Sequence, residues 1–168
     1  MAAELRHVAL ANRNHRALKV LLPRAAEVPE WIATVGFYKA VQIAEAVFSH
    51  QPFCRNSSGH RDRLDTLKDV RLAGGELFKQ YDPLMSASML ARYLRDEHTG
   101  RDVSSFEQFI PPEKVVRRSV KGRLRTFEQH AVGLLSAEGK RTLITLDKDP
   151  EIDLNSPTGL SPDLGLRD

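Results

Sequence analysis

Histidine and arginine are the side chains of this sequence best suited to chemistry at neutral pH. Imidazole titrates near neutrality, and guanidinium is a permanent cation shaped to hold a carboxylate or phosphate. His60 and Arg63 stand one turn apart at the start of a predicted helix. Arg92 and Tyr93 stand in a later one, with His98 just beyond. In such a set a histidine moves protons and an arginine holds an anion. Plainer roles fit the same residues: His60 bonded to its own loop, Arg92 and Tyr93 packed and ion-paired at a bundle edge.

A second cationic feature runs from Lys114 to Arg125. It contains Lys114, Arg117, Arg118, Lys121, Arg123 and Arg125 with no acidic residue between them. On an α-helix all of these except Arg123 share one face, and Val116, Val120, Leu124 and Phe127 take the opposite one. Lys114, Arg117, Arg118, Lys121 and Arg125 are therefore candidates for binding RNA or another polyanion. A solvated face, or pairing with the chain's own Asp-rich tail, is the alternative.

Other chemistries lack their motifs. The sequence has no Gly-rich phosphate loop, no HExxH and no serine nucleophile elbow. Gly74-Gly75 lacks the strand and glycine spacing of a dinucleotide fold. The six histidines are scattered, so no metal site and no cofactor is expected. Cys54 is the single cysteine and reads as a small packed side chain. No window has the roughly 20 apolar residues of a membrane span. The first residues lack the apolar core of a secretory signal, so the expected location is the cytoplasm. With 168 residues, 41% hydrophobic and 28% charged, the composition is that of one globular domain. A net charge of +3 permits contact with nucleic acid without requiring it.

The elements that must position these residues read as helices. A first runs from about Glu4 to Leu22 and stops at Pro23. A second starts at Pro29, a residue suited to the first helical position. Its Trp31, Val35 and Tyr38 stripe adjoins one of Phe37, Val41, Ala44 and Phe48, which predicts the central helix. After a Gln51–Gly59 loop, a third starts near His60 and breaks at Gly74-Gly75. Asp82-Pro83 reads as a new start, dividing Glu76–Tyr81 from Pro83–Glu97. Phe106, Phe109 and Ile110 are expected to pin a connection to the bundle. The last helix spans Pro112–Ala137. Thr142–Leu146 could form a short strand, although no partner strand is evident. The expected fold is all-α: an antiparallel bundle of about five or six helices over residues 1–137, with an irregular tail over 138–168.

Three segments carry a family resemblance. Trp31–Phe48, WIATVGFYKAVQIAEAVF, is similar to the aromatic–alanine helix of HEPN domains, in which a Trp ahead of Tyr-x-Ala packs at the bundle centre. Ser58–Leu64, SGHRDRL, resembles the Ser/His-basic start of that family's next helix. Ser88–Tyr93, SMLARY, resembles its later Arg/Tyr segment. Order and spacing agree over about residues 4–98.

The resemblance implies a helical bundle that forms a homodimer and works with RNA. Many members are metal-independent endoribonucleases of toxin–antitoxin and phage-defence systems. Others are RNA-binding or assembly modules. Active members carry an arginine followed within a few residues by a histidine. Arg55–His60, Arg92–His98 and Arg125–His130 have such a spacing here. Cleavage through the 2′-hydroxyl needs a base of near-neutral pKa and a cation on the phosphate. The resemblance casts His60 or His98 as base or acid and Arg63 and Arg92 as the phosphate-holding pair, with Tyr93 a further residue of the site. The competing expectation is a non-enzymatic helical module that binds a protein partner. A nucleotide-binding helper beside a nucleotidyltransferase is a third.

Overall fold

The computed structural model describes residues 2–55, 57–95, 99–100 and 102–152. The described residues form an all-α bundle with no strand, as expected. Helix α1 is Ala2–Leu21 and α2 is Pro29–His50. The two run antiparallel, with His7 bonded to Gln42 and His15 to Lys39. Helix α3 is His60–Leu67 and α4 is Glu76–Tyr93. Helix α5 is the single turn Phe106–Phe109. Helix α6 covers 112–132: an α-turn at Pro112–Lys114, a π-helix over Val115–Leu124, and α-helix again over Arg125–Val132. Helix α7 is Ala137–Thr142.

The core lies where α1, α2, α4 and α6 meet. Phe37, Tyr81 and Phe127 bind α2, α4 and α6 through edge and tilted ring contacts at 5.3 and 6.0 Å. Each such buried side chain contributes roughly 1.5–3 kcal/mol of apolar burial. The break before α4 falls at Gly74 and Gly75, whose φ values of 64° and 82° suit residues without a Cβ.

Several expectations are corrected. Pro83 lies inside a continuous α4 and does not open a new helix. Its ring removes one amide donor from the helix, and the flanking turn closes through Ser86, whose hydroxyl donates to the Asp82 carbonyl at 3.1 Å. Helix α4 ends at Tyr93, not Glu97, because Leu94 turns left-handed at φ 49°. Helix α3 ends at Leu67, well short of the glycines. Phe106 is buried as expected, but Phe109 is 51% exposed. Trp31, expected at the centre, is 58% exposed, and Phe37 takes the central position.

The largest correction follows the last predicted helix. That helix ends at Val132, and its Val115–Leu124 stretch is π-helical. The wider π turn places Val115, Val116, Ser119, Val120 and Leu124 inward. Thr142–Leu146 is not a strand. Ala137–Thr142 is helix, and residues 143–152 form an irregular strap against the bundle with Leu143, Leu146 and Ile152 buried. The packed structure therefore extends at least to Ile152, and 153–168 lie outside the described residues. Glu4 helps seat this region. Its carboxylate accepts the Ser136 amide at 2.9 Å and occupies the room a Cβ at Gly139 would need.

Candidate functional site

The candidate site is a cleft of about 1000 Å³ between α3 and α4. Leu64, Met85, Met89 and Tyr93 give it apolar walls. His60, Arg61, Lys68 and Arg95 line it together with Asp65, Asp82 and Asp102. Cations and carboxylates alternate, and Lys68 is paired with Asp65 at 2.9 Å.

His60 occupies the first position of α3, behind the extended Gly59. Its ring lies 5.5 Å from that of Phe37. Arg63, one turn on, points inward and is 8% exposed. Its Nε and Nη2 both donate to Glu45 Oε1, at 2.8 and 2.7 Å. Ser57 donates to the same oxygen. Arg63 Nη1 meets the Tyr81 hydroxyl at 3.5 Å and His60 Nδ1 at 3.1 Å. Burial pushes the Tyr81 phenol up to about 12, against the pull of Arg63.

Guanidinium has donors only, so in this contact His60 Nδ1 accepts, which leaves the ring N–H on Nε2. A second proton on Nδ1 would face the Arg63 cation. Acting as a base through Nε2, or as an imidazolium acid, would require that contact to break first.

Arg92 belongs to a neighbouring surface cluster. Its Nη1 donates to the Tyr38 hydroxyl at 2.9 Å and its Nε to the Ser88 carbonyl at 3.2 Å. The guanidinium lies 5.5 Å from the Tyr38 ring centre and 5.0 Å from that of Tyr93. Tyr38 is 36% and Tyr93 61% exposed. Neither Arg63 nor Arg92 lines the cleft, whereas His60 and Tyr93 share it. His98 lies outside the described residues.

The basic stretch on α6 is thinner than its sequence suggests. Arg117 and Arg118 are exposed, and Lys114 and Lys121 are half-buried. Arg125 donates to Asp147 at 2.7 Å, and the exposed Arg123 donates to Gln80 at 3.0 Å. Among the described residues no group of His, Cys, Asp and Glu is placed to hold a metal ion. No described helix is long and apolar enough to cross a membrane.

A buried polar chain elsewhere escaped the sequence reading. Lys39 and Glu128 form an ion pair at 0% and 1% exposure. Burial pushes the Lys39 ammonium down and the Glu128 carboxyl up, and each partner's charge works against the other's shift. Lys39 Nζ also meets His15 Nδ1 at 2.6 Å, and His15 Nε2 meets Asp149 at 2.8 Å. The available signal was Lys39, a charge set in the apolar run from Phe37 to Phe48.

No family model, curated protein or solved structure matches the chain.

Proposed function

We propose that the chain is a HEPN-like, RNA-associated helical bundle that holds single-stranded RNA without cutting it. One observation carries this reading: the half-buried Arg92 with the exposed Tyr38 and Tyr93 rings, clustered beside the α3–α4 cleft. Aromatic faces stack on unpaired bases, and guanidinium planes do the same while meeting phosphate. Arg117 and Arg118 add exposed positive charge on α6. Holding is favoured over cutting because Arg63 is committed to Glu45 and blocks His60 Nδ1.

The test is labelled single-stranded RNA incubated with the protein in EDTA. Salt-sensitive retention of intact RNA is expected. It should weaken by about 1–3 kcal/mol in Tyr93→Ala and show a shallower salt dependence when Arg117 and Arg118 are neutralised. Retention indifferent to all three changes, or none, overturns the binding reading. Cleavage leaving cyclic phosphate ends, lost in a folded His60→Ala variant, restores the endoribonuclease.

A protein-binding module is the second reading, favoured by Trp31 at 58% exposure on α2. It predicts concentration-dependent self-association in sedimentation, abolished by Trp31→Glu.

A further inference from the structure

The strap of residues 143–152 is tied to the bundle by a clasp at its start and by a buried network further along. Asn12 brackets its start: Nδ2 donates to the Thr142 carbonyl, and Oδ1 accepts from the Ile144 amide, each at 2.8 Å. Glu128 Oε2 accepts from the Leu146 amide at 2.7 Å. Asp149 takes the far end, accepting from His15 Nε2 at 2.8 Å and Lys19 Nζ at 3.3 Å. Behind the strap, Glu128 pairs with Lys39, and Lys39 meets His15. The links thus run from Leu146 through Glu128, Lys39 and His15 to Asp149.

We propose that residues 143–152 form an acid-opened latch, closed while His15 is neutral and released when His15 takes a second proton. The closed state assigns the tautomer. An ammonium group only donates, so His15 Nδ1 accepts from Lys39 and Nε2–H donates to Asp149. The next proton must go on Nδ1, where the Lys39 ammonium already points from 2.6 Å.

The charged groups around the ring come from every element packed on it. Lys19 lies on α1, Lys39 on α2, Glu128 on α6, and Asp149 and Glu151 on the strap. Glu128 is occupied by Lys39 and the Leu146 amide, and Asp149 is shared with Lys19. Asp149 favours an imidazolium, but burial and Lys39 oppose it more strongly, so His15 is lowered from 6.5 to about 4. Opening the strap admits water to a ring whose burial is the main cause of the shift; this outweighs the loss of Asp149 and returns His15 toward its ordinary value. Acid therefore favours the open strap between pH 6.5 and about 4. Opening also frees Arg125 and Gln129, which hold Asp147 at 2.7 and 2.8 Å.

Amide hydrogen exchange on the whole chain tests this directly, corrected for the intrinsic pH dependence of exchange. The reporters are the Ile144 and Leu146 amides, which Asn12 and Glu128 hold. Their protection should fall by up to about 30-fold between pH ~8 and pH ~5, most of it below the unperturbed histidine pKa. Amides in the middle of α2 should keep theirs. A strap change under about threefold, or an equal loss in α2, overturns the latch. His15→Gln should flatten the profile, and a folded variant that keeps the slope also overturns it. Asn12→Ala removes a clasp that does not titrate. It should lower strap protection at every pH and leave the slope intact, and a vanished slope there counts against His15.

Discussion

His15 and His60 carry the same local device in two settings. Each has Nδ1 against a side chain that can only donate, Lys39 at 2.6 Å and Arg63 at 3.1 Å. Each contact therefore uses Nδ1 as the acceptor and leaves the ring N–H on Nε2. Around His15 that proton goes to Asp149, and the ring is 1% exposed. Around His60 the ring leans on Phe37 and borders the cleft it shares with Tyr93. The cations behind the rings are also balanced alike, Lys39 by Glu128 and Arg63 by Glu45. A fixed tautomer becomes a structural key when both nitrogens are spent inside the fold. The same tautomer at the lip of a cleft becomes part of a recognition surface.

The comparison breaks first, if it breaks, at the buried cations. Lys39→Met strands the Glu128 carboxylate and should cost about 3–5 kcal/mol in urea denaturation at neutral pH. Arg63→Met should cost less, because its pair retains partial access to water at 10% and 11% side-chain exposure. Equal losses would remove the distinction between a sealed network and an open lip.

Next in size is the response to acid. His15 has a folded-state value near 4 against 6.5 when unfolded. The unfolded chain therefore binds more protons in that window, and stability falls as pH drops through it. The loss attributable to His15 is ~3 kcal/mol by pH 4, read as denaturation midpoints against pH and absent in His15→Gln. A pH profile unchanged in His15→Gln would place the acid response elsewhere.

The smallest effect belongs to the strap's outer contact. Arg125 and Asp147 are 42% and 36% exposed, so Arg125→Ala should shift stability by less than ~1 kcal/mol. A larger loss would show that the outer contact, and not the buried network, holds the strap.

Helix identity was legible wherever periodicity and punctuation agreed. The start of α2 at Pro29 and the break at Gly74-Gly75 follow from proline and glycine geometry, and the start of α3 at His60 from the turn-rich loop before it. Pro83 misled because one lost amide bond is tolerable in a helix that buries Leu77, Leu84 and Leu90. Trp31 misled because apolar periodicity ranks residues by type, and on α2 the smaller Ile32, Ala33 and Gly36 face inward. The π-helix has no local signature, because i→i+5 bonding is chosen by packing and not by propensity. The pairing of Arg63 with Glu45 and of His15 with Asp149 spans 18 and 134 positions. No spacing rule joins such partners. They become visible only when helices that differ in sequence position lie side by side.

Asn12 places the first helix in the hands of residues made much later. Its side chain is satisfied by Thr142 and Ile144, the latter 132 positions on. At ribosomal rates of about 5–20 residues per second, the wait is on the order of ten seconds. During it α1 exposes Asn12 and His15 with no strap to receive them. The helices can pair as they emerge, but the domain closes only after the strap has been translated. Truncation before the strap should therefore resemble arrested synthesis more than trimming of a surface tail.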